Sequence, residues 1–378
     1  MTSKHKTIGI VGGGQLGRML TLAAHPLGFQ TVVVDPAPSS PASQVGAKEI
    51  TAPLYDESAL RELARQSDFI TIEIEHVNAD ILMALAESGV SINPAPATIR
   101  LIQDKYKQKQ FLSENGVPVA PFAELSNEHD GRELLERFGG KMLVKTRLGA
   151  YDGRGNMVVD SPAKLAKALE SFAGQPLYVE QFVPFSKELA VMAARDIAGN
   201  IATYPVVETV HERNICVEVV APAPVPSEVC ARANDIALKV AGLFKGAGMF
   251  GIEMFMLATG EIVVNEVAPR VHNSGHCTMD AARTSQFEQH IRAVSGLPLG
   301  DTTLTAPAAV MVNILGEGDH PTEVKGLNEA LAIPGVHVHL YGKSPTKIDR
   351  KMGHITATGD SVQQARQRAH AARKVLSI

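Results

Sequence analysis

The stretch "IGIVGGGQLGR" (residues 8–18) has the pattern of a strand, a glycine turn and the first turn of a helix. Gly12, Gly14 and Gly17 have the GxGxxG spacing, and Asp35 ends the next apolar run, "TVVVD". Glycines let a turn bring backbone N–H groups and a helix N-terminus close to an anion, so the pattern predicts a phosphate site. Alone, it leaves three interpretations open: a dinucleotide-binding oxidoreductase with Asp35 on a ribose, a single-phosphate site, and a turn that only packs strand on helix.

The region around this stretch alternates short β-branched runs with helical stretches as far as about residue 96. Such alternation predicts a parallel sheet covered by helices. A charged helical stretch at 98–116 leads to a middle region of mixed strands and helices, and a short β-rich region with a helical tail follows. We therefore predict an α/β and α+β fold with domains at 1–100, 101–298 and 299–378.

The composition excludes several classes of partner. The 378 residues carry 36 Lys and Arg against 40 Asp and Glu, a net charge of −4, so no general attraction to nucleic acid or to an anionic membrane is expected. No apolar run approaches the roughly 18 residues of a membrane helix, and the first residues lack the pattern of a signal peptide. Three scattered cysteines indicate reduced thiols. We predict a cytoplasmic protein.

A second glycine-rich loop, "GAYDGRG" (149–155), lies between a strand that carries Lys145 and the strand "MVV". A loop between antiparallel strands can fold over a polyphosphate, with Lys145 and Arg154 supplying positive charge. The pattern favours a nucleotide lid. An ordinary hairpin loop is the alternative, because Gly and Asp are also common turn residues.

Two glutamates give the strongest argument from spacing. If "TG" at 259–260 centres a hairpin turn, Glu253 lies directly opposite Glu266, and Phe255 lies opposite Val264. Like charges facing each other in an apolar setting are destabilising by several kcal/mol unless compensated. Carboxylate oxygens suit Mg²⁺, which commonly bridges to phosphates. The spacing therefore predicts a magnesium site, the alternative being two solvated side chains.

Polar segments elsewhere suggest anion binding. The loop "APRVHNSGH" (268–276) follows the second glutamate, and its Pro and Gly break the helical spacing that a zinc pair of histidines would use. Glu73 and Glu75 are predicted to share a strand face at the ligand edge of the first sheet, the alternative being a solvated edge face. His337 and His339 share another strand face and receive no role. A basic cluster near the end, either a phosphate clamp or a solvated face, contains Lys343, Lys347, Arg350 and Lys351.

Six motifs in order, "GGGQLGRM", "KTRLGAYDGRG", "VEQFV", "GIEMF", "VNEVAPRVHNSGH" and "RKMGH", resemble those of the 5-(carboxyamino)imidazole ribonucleotide synthetase family of purine biosynthesis. The resemblance covers essentially the whole chain. It implies an ATP-grasp fold with a Rossmann-like N-terminal domain and a small β-rich C-terminal domain, usually as a homodimer. It also implies a Mg²⁺-dependent ligase. ATP would phosphorylate bicarbonate to carboxyphosphate, and the amine of 5-aminoimidazole ribonucleotide would capture the carboxyl group, with release of ADP and phosphate.

The resemblance further implies a role for particular residues. Those expected to bind ATP are Lys105, Lys145, Ala150, Tyr151, Asp152, Gly153, Arg154, Gly155, Asn156, Glu180, Gln181, Phe182, Val183, Glu188, His211, Asn265 and Glu266. Those expected to bind the ribonucleotide are Gln15, Leu16, Glu73, Asn273, Ser274, Lys343, Arg350 and Lys351. The expected metal ligands are Glu253 and Glu266. The expected catalytic residues are Arg270, His272, Tyr151 and Asp152.

Three positions depart from the family pattern. Ala150 replaces a frequent glycine, Lys105 a frequent arginine, and Ala268 an asparagine common in ATP-grasp enzymes. Lysine keeps the charge of arginine but loses its bidentate geometry. Two further functions stay open: a formate-dependent glycinamide ribonucleotide transformylase, against which "HNSGH" argues, and a catalytically silent nucleotide-binding regulator.

Overall fold

The computed structural model describes residues 6–149 and 155–378. Its first part is a parallel four-stranded sheet with strand order β3-β2-β1-β4. Its strands are β1 (Thr7–Val11), β2 (Gln30–Asp35), β3 (Lys48–Thr51) and β4 (Phe69–Ile72). The helices of this part are α1 (Gln15–Ala24), α2 (Glu57–Gln66) and α3 (Ala79–Glu87), followed by α4 (Pro96–Gln103) and α5 (Lys105–Glu114). The predicted parallel sheet is confirmed.

The glycine turn between β1 and α1 is shaped by close contacts within the chain. Gly12 has φ +104°, and a Cβ atom there would lie 2.3 Å from Cγ of Glu73. A Cβ on Gly17 would lie 2.7 Å from the Gly12 carbonyl oxygen. The glycine spacing therefore allows a left-handed turn and brings the chain close around the Glu73 side chain.

A small antiparallel sheet with strand order β5-β8-β6-β7 follows. Its strands are β5 (Phe122–Leu125), β6 (Met142–Thr146), β7 (Asn156–Val159) and β8 (Leu177–Gln181), with α6 (Glu128–Arg137) and α7 (Pro162–Ser171) beside them. Pairing of β6 with β7 puts Lys145 opposite Asn156. The prediction that the second glycine loop joins two antiparallel strands is thus confirmed.

The remaining strands form one nine-stranded sheet with the order β14-β13-β9-β11-β12-β15-β17-β16, in which β10 also pairs with β9. The strands are β9 (Phe185–Arg195), β10 (Ile201–Thr203), β11 (Val207–Glu212), β12 (Ile215–Ala221), β13 (Gly248–Leu257), β14 (Ile262–Ala268), β15 (Ala308–Leu315), β16 (Val336–Leu340) and β17 (Lys351–Gly359). The helices are α8 (Ser227–Leu243), α9 (Thr278–Ala281), α10 (Gln286–Ser295), α11 (Leu327–Leu331) and α12 (Val362–Val375).

The two faces of β13 and β14 have different surroundings. Ile252 and Met254 of β13 and Val264 of β14 belong to a buried cluster with the apolar face of α8. The alternate residues point to the opposite face, which carries the polar side chains of the candidate site. The predicted β-rich end of the chain, closed by a helix, contributes β15–β17 to this same sheet. We retain divisions near residues 100 and 298 as proposals. Among the described residues, no helix combines the length and apolar character that a membrane crossing requires.

His290 on α10 joins the first sheet to the large one. Its Nδ1 accepts a hydrogen bond from the N–H of Met249 on β13 at 3.0 Å, so this nitrogen carries no proton and the imidazole is neutral. The proton is then on Nε2, which lies 2.7 Å from Oγ1 of Thr71 on β4. Burial lowers the pKa of His290 to about 3. Since the unfolded chain takes up this proton near pH 6.5 and the folded chain does not, stability falls as the pH drops below 6.5.

We expect this histidine to contribute about 2 kcal/mol to the loss of stability between pH 8 and pH 5. His290→Gln should therefore show a smaller difference between urea unfolding free energies at these two pH values than the parent chain. His129→Gln is the control, because His129 is exposed on the surface. An unchanged pH dependence in His290→Gln would contradict this assignment.

Candidate active site

The carboxylates of Glu253 on β13 and Glu266 on β14 lie on adjacent strands as predicted. They are direct partners in the β13–β14 register. A β-bulge follows the pair, because Met254 faces Val264 and Asn265 is the extra residue. The bulge places Asn265 and Glu266 on the same, polar face of the sheet.

The turn that precedes this pair differs from the prediction. The N–H of Leu257 bonds to the carbonyl of Glu261, and Gly260 has φ +79°, so the loop contains three residues rather than two. Phe255 therefore faces Val263, and the predicted partner Val264 is wrong. The bulge at Asn265 shifts the register back by one residue, which is why Glu253 still faces Glu266.

Positive and polar groups surround the two carboxylates. The Nζ of Lys105 lies 2.6 Å from Oε2 of Glu266. Nε2 of His272 lies 3.5 Å from Oε1 of Glu253, and the Asn265 amide lies 3.4 Å from Oε2 of Glu253. Burial and the charge of Glu266 raise the pKa of Glu253 to about 7, whereas Lys105 overcomes burial and holds the pKa of Glu266 at about 2. The two carboxylates are therefore electrostatically distinct, and among the described residues only Glu266 has a lysine in direct contact.

A second buried charge network lies beside this pair. The sequence analysis expected Lys145 and Glu180 at the nucleotide but missed Lys109 and Tyr178. Oε1 of Glu180 accepts hydrogen bonds from Lys109 and Lys145, both at 3.1 Å, and from the Tyr178 hydroxyl at 2.9 Å. Lys109 also donates to the carbonyl of Asn265. Although burial opposes ionisation of Glu180, the two lysines lower its pKa to about 2. The signal in the sequence is the i, i+4 spacing of Lys105 and Lys109, which puts both on one face of α5.

We expect Lys109→Met to lower the free energy of unfolding by about 3 kcal/mol, because it removes one partner from a buried ion pair. It should also raise KM for ATP, since Lys145 is then the one lysine of the described residues that still contacts Glu180. Lys107→Met is the matched control: Lys107 lies on the same helix and is exposed. Equal urea midpoints and equal KM values for the two variants would contradict a role for Lys109.

Other residues expected at the nucleotide lie on neighbouring strands. Glu188 on β9 contacts His211 on β11, with Oε2 and Nδ1 3.0 Å apart, and this contact raises the pKa of His211 against the effect of burial. Phe182 follows β8, where the Nζ of Lys141 lies 3.6 Å from its ring centroid.

Three other residues expected at the nucleotide are partly or fully exposed: Gln181, Val183 and Asn156. Gly155 has φ +85°, and its carbonyl accepts the N–H of Thr146. Five predicted residues lie outside the described ones: Ala150, Tyr151, Asp152, Gly153 and Arg154.

Arg270 and His272 follow β14 and point toward the carboxylate pair and the first sheet. Nε of Arg270 lies 2.9 Å from Oε2 of Glu75, and both side chains are largely buried. Gln286, also missed by the sequence analysis, holds His272 by bonds to its backbone N–H and carbonyl at 2.9 and 2.7 Å. Burial and the charge of Arg270 lower the pKa of His272 to about 3, so this imidazole is neutral. A Cβ on Gly251 would lie 2.7 Å from that of His272, so only glycine leaves room for the ring.

The first glycine turn differs from an open anion site. Glu73 accepts the N–H groups of Gly14 and Gly17, and Asp35 accepts that of Gly13 at 2.9 Å. The chain's own carboxylates thus occupy donors that were expected to face a phosphate. Burial raises the pKa of Glu73, and a phosphate at Gly14 and Gly17 would have to displace this side chain.

The remaining residues expected at the ribonucleotide lie in two groups. Asn273 exchanges side-chain hydrogen bonds with Asn313, and the buried Ser274 hydroxyl lies 3.1 Å from Nδ1 of His272.

The second group is basic. Lys343 donates a hydrogen bond to the carbonyl of Lys351, and Arg350 donates one to the carbonyl of Pro345. Lys351 acts electrostatically on His272, and Lys343 acts on Glu73, so both lysines lie near the predicted site. Gln15 is half-buried, while the Leu16 side chain belongs to the core, so only its backbone could meet a ligand.

Comparison with known proteins agrees with this geometry. Residues 5–103 match the ribonucleotide synthetase preATP-grasp domain, 110–287 the ATP-grasp domain, and 309–368 the phosphoribosylaminoimidazole carboxylase C-terminal domain. The N5-carboxyaminoimidazole ribonucleotide synthase of Synechococcus elongatus is 41% identical over 364 residues, which cover 95% of this chain and 92% of that protein. The chain belongs to the N5-carboxyaminoimidazole ribonucleotide synthase family of ATP-grasp ligases.

Two further proteins extend the comparison. The phosphoribosylaminoimidazole carboxylase of Schizosaccharomyces pombe is 44% identical over 373 residues, or 97% of this chain, and the chain spans about two thirds (67%) of its length. The crystal structure of N5-carboxyaminoimidazole synthase from Aspergillus clavatus, in complex with ADP and 5-aminoimidazole ribonucleotide, has a TM-score of 0.91 and 36% identity, covering 98% of this chain and 99% of that one.

These comparisons confirm the predicted ATP-grasp fold with its flanking N-terminal and C-terminal regions. They also show that the oxidoreductase interpretation of the first glycine turn is wrong. The structure gives the physical reason, because Asp35, the expected ribose ligand, is bonded to the backbone of Gly13 and Ala37.

Proposed function

We propose that this ligase carboxylates 5-aminoimidazole ribonucleotide with bicarbonate and ATP, giving N5-carboxyaminoimidazole ribonucleotide, ADP and phosphate. The observation that carries the proposal is the facing pair Glu253 and Glu266, with Lys105 beside it and Arg270 and His272 directly after it. The family of the chain and the ribonucleotide complex of the Aspergillus clavatus protein support the choice of substrates.

The carboxylate pair fits Mg²⁺. Two carboxylates face each other, and the described protein groups supply only one close cation, Lys105 on Glu266. Glu253 and Glu266 would hold the metal, and Asn265 lies within reach of Glu253. When bound, Mg²⁺ would neutralise charge on the nucleotide phosphates. The Glu180 network fixes Lys145 beside the pair, so that Lys105 and Lys145 would contact phosphate oxygens.

In the first step, an oxygen of bicarbonate attacks the γ-phosphorus of ATP, and the bond to the ADP oxygen breaks. In the second step, the substrate amine attacks the carboxyphosphate carbon, phosphate leaves, and the nitrogen loses a proton. Arg270 would hold the anionic carboxyl end. His272, neutral and fixed by Gln286, would donate or accept a hydrogen bond there. This intermediate must be kept from water, and the resemblance implies a role there for Tyr151 and Asp152, which lie outside the described residues.

The ribonucleotide would lie between the first sheet and the end of the chain. Lys343 and Lys351 supply positive charge for a 5′-phosphate, with Arg350 nearby in sequence. The paired Asn273 and Asn313 offer amide groups to the ribose or base. Glu73 would bind ribose hydroxyls once it leaves the Gly14 and Gly17 amides. The resemblance further supports a homodimer in the cytoplasm, which light scattering and fractionation test.

The decisive experiment combines the protein with ATP, Mg²⁺, labelled bicarbonate and 5-aminoimidazole ribonucleotide. We expect an acid-labile labelled carbamate and one ADP for each carbamate formed. A parallel reaction contains formate and glycinamide ribonucleotide. ADP formation there, without any in the first reaction, would overturn the proposal in favour of the transformylase.

A further inference from the structure

A cluster of one aspartate and three histidines lies away from the carboxylate pair. This histidine–aspartate cluster consists of Asp280 on α9, His337 and His339 on β16, and His354 on β17. Nε2 of His339 lies 2.9 Å from Oδ2 of Asp280, and Nδ1 of His337 lies 3.6 Å from Oδ1. The proposed carboxylation uses none of these side chains.

The spacing of the cluster is close to that of a metal site. One ligand atom from each of Asp280, His339 and His354 lies within 4.8 Å of the others. Some point therefore lies within about 2.8 Å of all three atoms, and zinc bonds to N and O are about 2.0–2.2 Å. Movements below 1 Å would therefore close the site. The β16–β17 register sets this spacing, because His339 and His354 are direct cross-strand partners.

The buried side chain of His354 is a second, independent observation that points to a ligand. The side chain is fully buried, and its Nδ1 lies 2.8 Å from the Tyr341 hydroxyl. Its Nε2 has no hydrogen-bond partner among the described residues. Leaving a buried nitrogen without a hydrogen bond is energetically unfavourable. If Nδ1–H donates to Tyr341, the Nε2 lone pair is available to a metal, and the tyrosine orients the ring as outer-shell partners of metal-bound histidines do.

We infer that the histidine–aspartate cluster binds one divalent transition metal ion, for which zinc is the best match. Imidazole nitrogens with one carboxylate suit zinc rather than magnesium. Asp280, His339 and His354 supply three ligands, and His337 or water supplies the fourth. The ion would tie α9, which follows the 271–276 loop, to β17, the strand that begins with Lys351. Its role is to fix two substrate-binding segments relative to each other.

The test uses Zn²⁺ and Co²⁺ as probes on the full chain after chelator treatment, with excess Mg²⁺ to occupy the carboxylate pair. We expect one retained zinc per chain by elemental analysis after gel filtration, a higher Tm with zinc, and visible absorption of bound Co²⁺. His339→Gln and Asp280→Asn should lose all three. His370→Gln is the control and should keep them, because His370 makes a similar contact, 2.7 Å from Glu218, in another part of the fold.

Two results would overturn the inference. One is a parent chain that retains no zinc after gel filtration and shows no zinc-dependent Tm. The other is retention by His339→Gln and Asp280→Asn equal to that of the parent chain. If His339→Gln does not fold, Asp280→Asn decides alone, because asparagine keeps the size of the side chain and a hydrogen-bond acceptor for His339.

Discussion

Replacing Glu266 by Gln should lower kcat for ADP formation by about a thousandfold, the size of effect seen when one group that stabilises transition-state charge is removed. Glu266 is one of two carboxylates proposed to hold Mg²⁺, and its contact with Lys105 also positions that lysine. The amide keeps the size of the side chain and removes the charge. The effect is measured as the rate of ADP release at saturating ATP, Mg²⁺ and ribonucleotide.

Glu261→Gln is the matched control for this prediction. Glu261 lies in the same hairpin and is exposed, and its carboxylate accepts a hydrogen bond from the Thr259 hydroxyl, so kcat of Glu261→Gln should equal that of the parent chain. Thermal unfolding checks that Glu266→Gln is folded. A folded Glu266→Gln chain with kcat within threefold of the parent would refute the metal assignment. A parent chain that binds ATP but never releases ADP would instead support the silent regulator.

The carboxylate pair could be predicted from sequence, although part of the reasoning was wrong. Pairing by a two-residue turn gave the right partner for Glu253 only because a longer loop and the bulge at Asn265 shift the register in opposite directions. The position of such a bulge cannot be predicted from the alternation of apolar residues. By contrast, the alternation of strands and helices at the start of the chain was sufficient for the parallel sheet, because local periodicity decides it.

Contacts between distant segments could not be read from the sequence. Glycine spacing indicates a tight turn, but it cannot show that Glu73, some 60 residues later, occupies the amides of that turn. Nor can it show that Lys109 and Lys145 share Glu180. Glutamates and lysines at such positions are usually solvated, and only the tertiary fold reveals which of them are buried in pairs.

Replacing Arg270 by Met should have two separate effects. It leaves the largely buried Glu75 without its partner, which should lower the free energy of unfolding by about 3 kcal/mol. It also removes the guanidinium proposed to hold the carboxyl end of the substrate, which should lower kcat by a factor of about 100 to 1,000. Arg270→Lys should be intermediate, because lysine keeps the charge without the forked geometry. Arg283→Met is the control, since Arg283 forms an exposed ion pair with Asp301.

A double variant separates the two effects of Arg270. In Arg270→Met with Glu75→Gln, no unpaired carboxylate remains, so most of the lost stability should return in urea unfolding. If Arg270 acts on the substrate, kcat should stay low in this double variant, because no cation replaces the guanidinium. If Arg270 only joins β14 to the first sheet, kcat should recover together with stability. Recovery of both quantities would therefore remove Arg270 from the catalytic residues and leave it as a contact between two parts of the fold.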